Sequence, residues 1–222
     1  LAYDDDFRFN PDPVLYYELP ADGQYRVEIK DAIYRGREDF VYRITIGELP
    51  FITSIFPLGG PAGAETTVEL RGWNLPTGSL TMDGRDKAPG IYPLVVRQGA
   101  WMSNAVPFAL GVLEECFEEE RDSAGPFAAK RAPSSLRPLA EEEGSGAAAQ
   151  RVTLPVVVNG RIDRPDDSDV FSFQGEAGQQ IVAEVYARRL NSPLDSMLKL
   201  TDAAGRVLAS NDDHEDKGSG LT

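Results

Sequence analysis

The chain has 222 residues, 41% hydrophobic and 26% charged, and its 36 Asp and Glu outweigh 22 Lys and Arg to leave a net charge of −14. Phosphate backbones are held by cations that displace condensed counterions, so this balance argues against nucleic acid as a partner. No apolar run reaches the roughly 20 residues that cross a bilayer, which argues against membrane insertion, and the lone cysteine, Cys116, cannot close an internal disulfide. The chain opens on Leu1-Ala2-Tyr3-Asp4-Asp5-Asp6, acidic where a signal peptide would be basic and then apolar. With no initiator Met, it reads as part of something longer.

In chain order, the dominant pattern is period-2 alternation, which marks a strand with one buried face. Tyr25, Val27 and Ile29 alternate with Arg26, Glu28 and Lys30; Phe40, Tyr42, Ile44 and Ile46 alternate with Arg43 and Thr45. Val68 and Leu70 sit between Thr67, Glu69 and Arg71. From Glu114 to about Gln150 the chain is rich in Glu, Ala, Ser and Pro; Leu113, Cys116 and Phe117 are spaced for one helical turn, and the rest is expected to be a linker, partly disordered. Alternation then returns at Phe171 and Phe173, at Ile181, Ala183 and Val185, and at Leu198 and Leu200. Turn signals separate these runs: Asp22-Gly23, Gly59-Gly60-Pro61, Asp83-Gly84, Pro89-Gly90, Asn159-Gly160 and Ala204-Gly205. Short strands at this spacing predict an all-β protein of antiparallel β-sandwiches rather than a parallel sheet with intervening helices.

Two distant segments echo each other: Leu1-Ala2-Tyr3-Asp4-Asp5-Asp6-Phe7 returns as Leu208-Ala209-Ser210-Asn211-Asp212-Asp213-His214. Around the second copy lie Leu154-Pro155-Val156-Val157-Val158-Asn159-Gly160-Arg161-Ile162, Asp166-Asp167-Ser168-Asp169-Val170-Phe171-Ser172-Phe173, Ser192-Pro193-Leu194-Asp195 and Asp202-Ala203-Ala204-Gly205. These resemble the front half of a bacterial pre-peptidase C-terminal (PPC) domain. Tyr16-Tyr17, Gly23-Gln24-Tyr25-Arg26-Val27-Glu28-Ile29 and Tyr42-Arg43-Ile44-Thr45-Ile46 resemble the back half of the same domain type. Between them, Pro50-Phe51-Ile52-Thr53-Ser54-Ile55-Phe56-Pro57, Thr67-Val68-Glu69-Leu70-Arg71-Gly72-Trp73-Asn74 and Ser103-Asn104-Ala105-Val106-Pro107-Phe108 resemble an IPT/TIG immunoglobulin-like module. The resemblance implies a PPC-like half over 1–48, a TIG-like domain over 49–112, a linker over 113–150 and a second PPC-like half over 151–222. It also implies a secreted or cell-surface location, jelly-roll-like and immunoglobulin-like sandwiches, and modules appended to secreted peptidases that in places bind calcium or matrix polymers. Half a sandwich exposes apolar faces and unpaired edges, so the two halves are expected to pair, within the chain or between two chains.

Calcium takes six to eight oxygens, which loops dense in Asp and Asn supply. Asp195, Asn211, Asp212 and Asp213 stand at strand–loop junctions, with Asp4, Asp5 and Asp6 in the echo. The resemblance adds Glu141 as a ligand, although Glu143 stands where the family pattern has Asn. The competing reading is that Asp and Asn at turns bond their own backbone. Asp169 is expected to bond the backbone amides of a neighbouring loop and so fix the turn before Phe171. His214 is the sole histidine, in Asn211-Asp212-Asp213-His214-Glu215-Asp216 beside a Gly-rich tail, where water is hard to exclude. A Ser-His-Asp or Cys-His hydrolase would rest on this residue alone, so no catalytic residue and no enzyme is expected. Among the aromatics, Trp73 is expected in the core, whereas Trp101 in a turn-like context is a candidate anchor for a sugar or protein. The sequence therefore points to a binding, adhesion or substrate-targeting module whose partner is an extracellular polymer or protein. A structural spacer, or an accessory region of a secreted peptidase, are the alternatives.

Overall fold

The structure, a computed structural model, describes residues 2, 4, 6–8, 11–119, 149–165 and 167–212. It is all-β, with no α-helix among the described residues. Eight strands fall in residues 51–111: β1 (Phe51–Phe56), β2 (Gly59–Pro61), β3 (Glu65–Trp73), β4 (Ser79–Asp83), β5 (Gly90–Leu94), β6 (Arg97–Gln98), β7 (Trp101–Met102) and β8 (Val106–Gly111). Six more follow: β9 (Glu115–Phe117), β10 (Gln150–Arg151), β11 (Val157–Asn159), β12 (Phe171–Ser172), β13 (Leu198–Thr201) and β14 (Val207–Asn211).

Residues 51–111 form a two-layer sandwich. One sheet has the order β1-β3-β4, the other β2-β8-β5, and β6 and β7 make a separate hairpin. Alternation explains the layering. On β3, Val68 and Leu70 are buried while Thr67, Glu69 and Arg71 face water; on β8, Val106, Phe108 and Leu110 are buried in turn. These side chains meet Ile52 and Ile55 of β1, Leu94 of β5 and Val96 in one core. At about 25 cal/mol per Å² of apolar surface removed from water, this cluster is the main source of the module's stability. Glycines admit close backbone approach at two points. Gly59 and Gly60 let β2 run parallel to β8, where a side chain at Gly59 would strike the Ala109 carbonyl and one at Gly60 the Thr66 hydroxyl. Gly72 sits where the β1–β3 register shifts between Ile52 and Ser54, and a side chain there would strike the Phe51 carbonyl.

Several expected strands do not form. The runs at 25–30, 40–46 and 181–185 join no sheet. Alternation states which face seeks burial, but a strand forms only against a partner edge, and these runs have none here. The helical turn expected around Leu113, Cys116 and Phe117 is instead strand β9, drawn out by parallel pairing with β11. Beyond the sandwich, β10 pairs with β12 and β13 with β14. A 3-10 turn at Arg188–Leu190 buries Ala187 and Leu190 and packs near β8.

Candidate binding surfaces

Trp101 stands on a rigid arm. Strands β6 and β7 pair Arg97 with Met102 and Gln98 with Trp101, closing on Gly99-Ala100, where Gly99 takes φ +60° at no steric cost. The base of the arm is fastened from both sides. The Ser103 hydroxyl accepts the Val96 N–H at 2.9 Å and donates to the Asn104 carbonyl at 2.8 Å, while the Ser103 N–H donates to the Val96 carbonyl at 2.9 Å. The Asn104 amide brackets β1, accepting from the Ile52 N–H at 2.7 Å and donating to the Ile52 carbonyl at 3.0 Å. Trp101 is 59% exposed and Met102 beside it 52%. A large aromatic held out on a fixed scaffold can engage a partner with little ordering cost. Trp73 stacks between Tyr16 and Phe51, at 5.0 and 5.4 Å between ring centroids, and is half-buried rather than central to the core.

The acidic candidates scatter. Asp195 and Asp212 line one shallow concavity with Ser196 and Met197. Arg188 holds the Asp195 carboxylate at 2.9 Å, and Asn211 is the last residue of β14, opposite Leu198. Asp4 accepts the Val14 N–H at 3.2 Å, and Asp6 is exposed. Asp5, Asp213, Glu141 and His214 lie outside the described residues. Among the described residues no group of three or more His, Cys, Asp or Glu is placed to hold a metal ion. Among the described candidates, Asp195 and Asp212 are the two that share a concavity, and Asp195 is already paired with a guanidinium. Asp167 fixes the turn before β12, accepting the Asp163 and Ser168 N–H groups at 3.1 and 3.0 Å. Those bonds, the Asp163 N–H first, hold the Asp167 carboxyl below the usual carboxylate range.

A joint that sequence reading missed fastens residues 150–161 to the sandwich. Strand β9 pairs with β11, and the Asn159 amide donates to the Glu115 carboxylate at 2.8 Å. Gln150 donates to the Phe117 carbonyl at 3.0 Å and accepts the Glu119 N–H at 2.8 Å; Glu118 accepts the Arg161 N–H at 2.7 Å. The Arg161 guanidinium lies 3.7 Å over the Phe56 ring and reaches Glu69 at 2.6 Å, while Phe56 meets Phe117 at 5.8 Å. Burial pushes the Glu115 carboxyl up, opposed by the Asn159 hydrogen bond. Burial, with Glu115 and Glu119, also pushes the Cys116 thiol up, so Cys116 is a poor nucleophile. The joint escaped sequence reading because its strands are two or three residues long and its residues flank an acidic run that looks solvated.

Against known proteins, 60 residues of the chain are 48% identical to a probable subtilase-type serine protease of Deinococcus radiodurans. The match covers 27% of this chain and 8% of that protein's length. No family model matches the chain, and no solved structure does. No described helix is long and apolar enough to cross a membrane.

Proposed function

We propose that this chain is a non-catalytic, extracellular accessory region of a subtilase-type serine protease, which binds an insoluble polymer or protein and so places the protease on it. The similarity to the Deinococcus radiodurans protease carries this assignment. Sixty residues are the scale of one small module, and a stretch that is 8% of its relative leaves ample chain for catalysis elsewhere. Sequence chemistry agrees, because the sole histidine lies in an acidic, Gly-rich tail. Trp101 on its braced arm supplies the contact.

The joint favours a second role. Residues that brace 150–161 against Phe56 and Glu69 would set a fixed spacing between neighbouring modules, so the chain also acts as a spacer. Binding and spacing are compatible.

Sedimentation with collagen fibres, chitin and bacterial cell-wall material tests the binding role. The intact chain should be retained on at least one of them. Trp101→Ala should lower retention about tenfold, the effect of losing roughly 1.4 kcal/mol at an aromatic anchor, with an unchanged melting temperature. Equal retention of wild type and Trp101→Ala would remove the arm from the proposal, and no retention on any matrix would remove binding altogether.

A further inference from the structure

The described residues of 4–16 lie on the sandwich as a short strap. Asp4 is tied to Val14, whose N–H its carboxylate accepts at 3.2 Å. Two aromatics fasten the strap: Phe7 packs edge-on against Phe51 at 5.6 Å, and Tyr16 stacks on Trp73 at 5.0 Å with the rings 8° from parallel. Phe51 and Trp73 are partners in the β1–β3 register, so both anchors grip one cross-strand pair. Between the anchors, Arg8 has a left-handed backbone, φ +61°, and its guanidinium donates to the Asn191 carbonyl. A residue with a Cβ stays in that region only where its surroundings hold it.

Asn191 ends the 3-10 turn Arg188–Leu190 and is itself left-handed, φ +64°, which Asn tolerates. The turn's own bonds use the Ala187 and Arg188 carbonyls: Leu190 and Ser192 donate to Ala187 at 2.9 and 3.0 Å, and Asn191 donates to Arg188 at 3.0 Å. Arg8 takes the Asn191 carbonyl, and a cation is a favoured donor at such an end. A cavity of about 50 Å³, walled by Arg8, Ser54 and Val106 with Asn191 and Pro193, lies between the turn and the strands. Atoms facing a gap forfeit dispersion contacts, so the bond from Arg8 carries a larger share of the docking here.

We propose that this strap clasps the 187–193 turn to the sandwich, and that the turn stays docked only while the strap is seated. Arg8 and Asn191 are 183 positions apart in sequence. Phe7, fixed on Phe51, holds its neighbour Arg8 close to the turn and so removes most of the freedom that this contact would otherwise cost. The joint uses other residues: Phe56, Glu69, strand β9 and residues 150–161. The stretch from residue 150 onward is thus fastened to the sandwich twice, and one fastening belongs to the strap. Lifting the strap releases the turn and makes the joint a hinge for the residues that follow it.

Hydrogen exchange of the full chain tests the clasp at the Leu190, Asn191 and Ser192 amides. Phe7 and Arg8 are only half-buried, so substitutions there should leave the sandwich folded. Arg8→Ala should speed exchange at the turn at least about tenfold, the effect of losing one charge-assisted hydrogen bond, while amides of β3, β8 and the β9–β11 pair keep their rates. Phe7→Ala should do the same, because Phe7 acts on the turn through Arg8. The double variant should add little to either single one, since each opens the same clasp. Unchanged exchange at the turn in Arg8→Ala would overturn the proposal. So would unchanged exchange in Phe7→Ala, or fully additive effects, because Arg8 would then hold the turn without the strap. Faster exchange throughout the sandwich would overturn it too, as a general loss of stability rather than an opened clasp.

Discussion

At the scale of single residues, three positions test the energetics. Phe108 is fully buried at the centre of the sandwich, so Phe108→Ala should destabilise it by about 3–5 kcal/mol in denaturant melts, through lost transfer energy and the cavity left behind. The Thr66 hydroxyl is the one buried side-chain polar atom without a hydrogen-bond partner among the described residues. Thr66→Val keeps the shape and removes that group, and should raise stability by about 1 kcal/mol. Glu115 tests pH dependence. Burial raises its folded pKa, so the stability it contributes is fully present below the ordinary carboxylate range and is lost as pH rises through the raised value. Glu115→Gln still accepts from Asn159 without burying a charge. It should melt higher than wild type at pH 7, and the difference should vanish below pH 4; a constant difference across that range would contradict the assignment.

At the scale of elements, residues explain what could be read in advance. Val68 and Leu70 on β3 alternate with polar neighbours and lie in the core as the pattern predicts. The same pattern at Val27 and Ile29, or at Tyr42 and Ile44, produced exposed residues and no strand. Periodicity specifies a face and is silent about the edge that face must join, so identical local signals had opposite outcomes. Trp101 could be singled out from its Gly-rich context, but the Ser103 and Asn104 bonds that brace its arm could not, because they link positions 7 and 52 residues apart in sequence. Asn104→Ala removes both bonds to Ile52 and should cost about 1–3 kcal/mol, with faster amide exchange at Ile52 as the local sign. Similarly, Phe56, Glu69 and Arg161 meet only in three dimensions. Arg161→Ala should speed exchange at the β9–β11 amides while leaving β3 and β8 protected; equal protection everywhere would mean that the joint does not depend on this contact.

At the scale of the whole molecule, one well-packed sandwich carries two flanking segments rich in exposed apolar side chains, a braced aromatic arm, and a joint that fixes the onset of the C-terminal segment. In the proposed function each of these features holds something in place. The most direct measurement puts the purified chain, an insoluble polymer that retains it and a soluble peptide substrate in one tube. The chain should partition onto the solid while the peptide stays intact. Peptide cleavage by the chain, abolished in His214→Ala, would contradict the account.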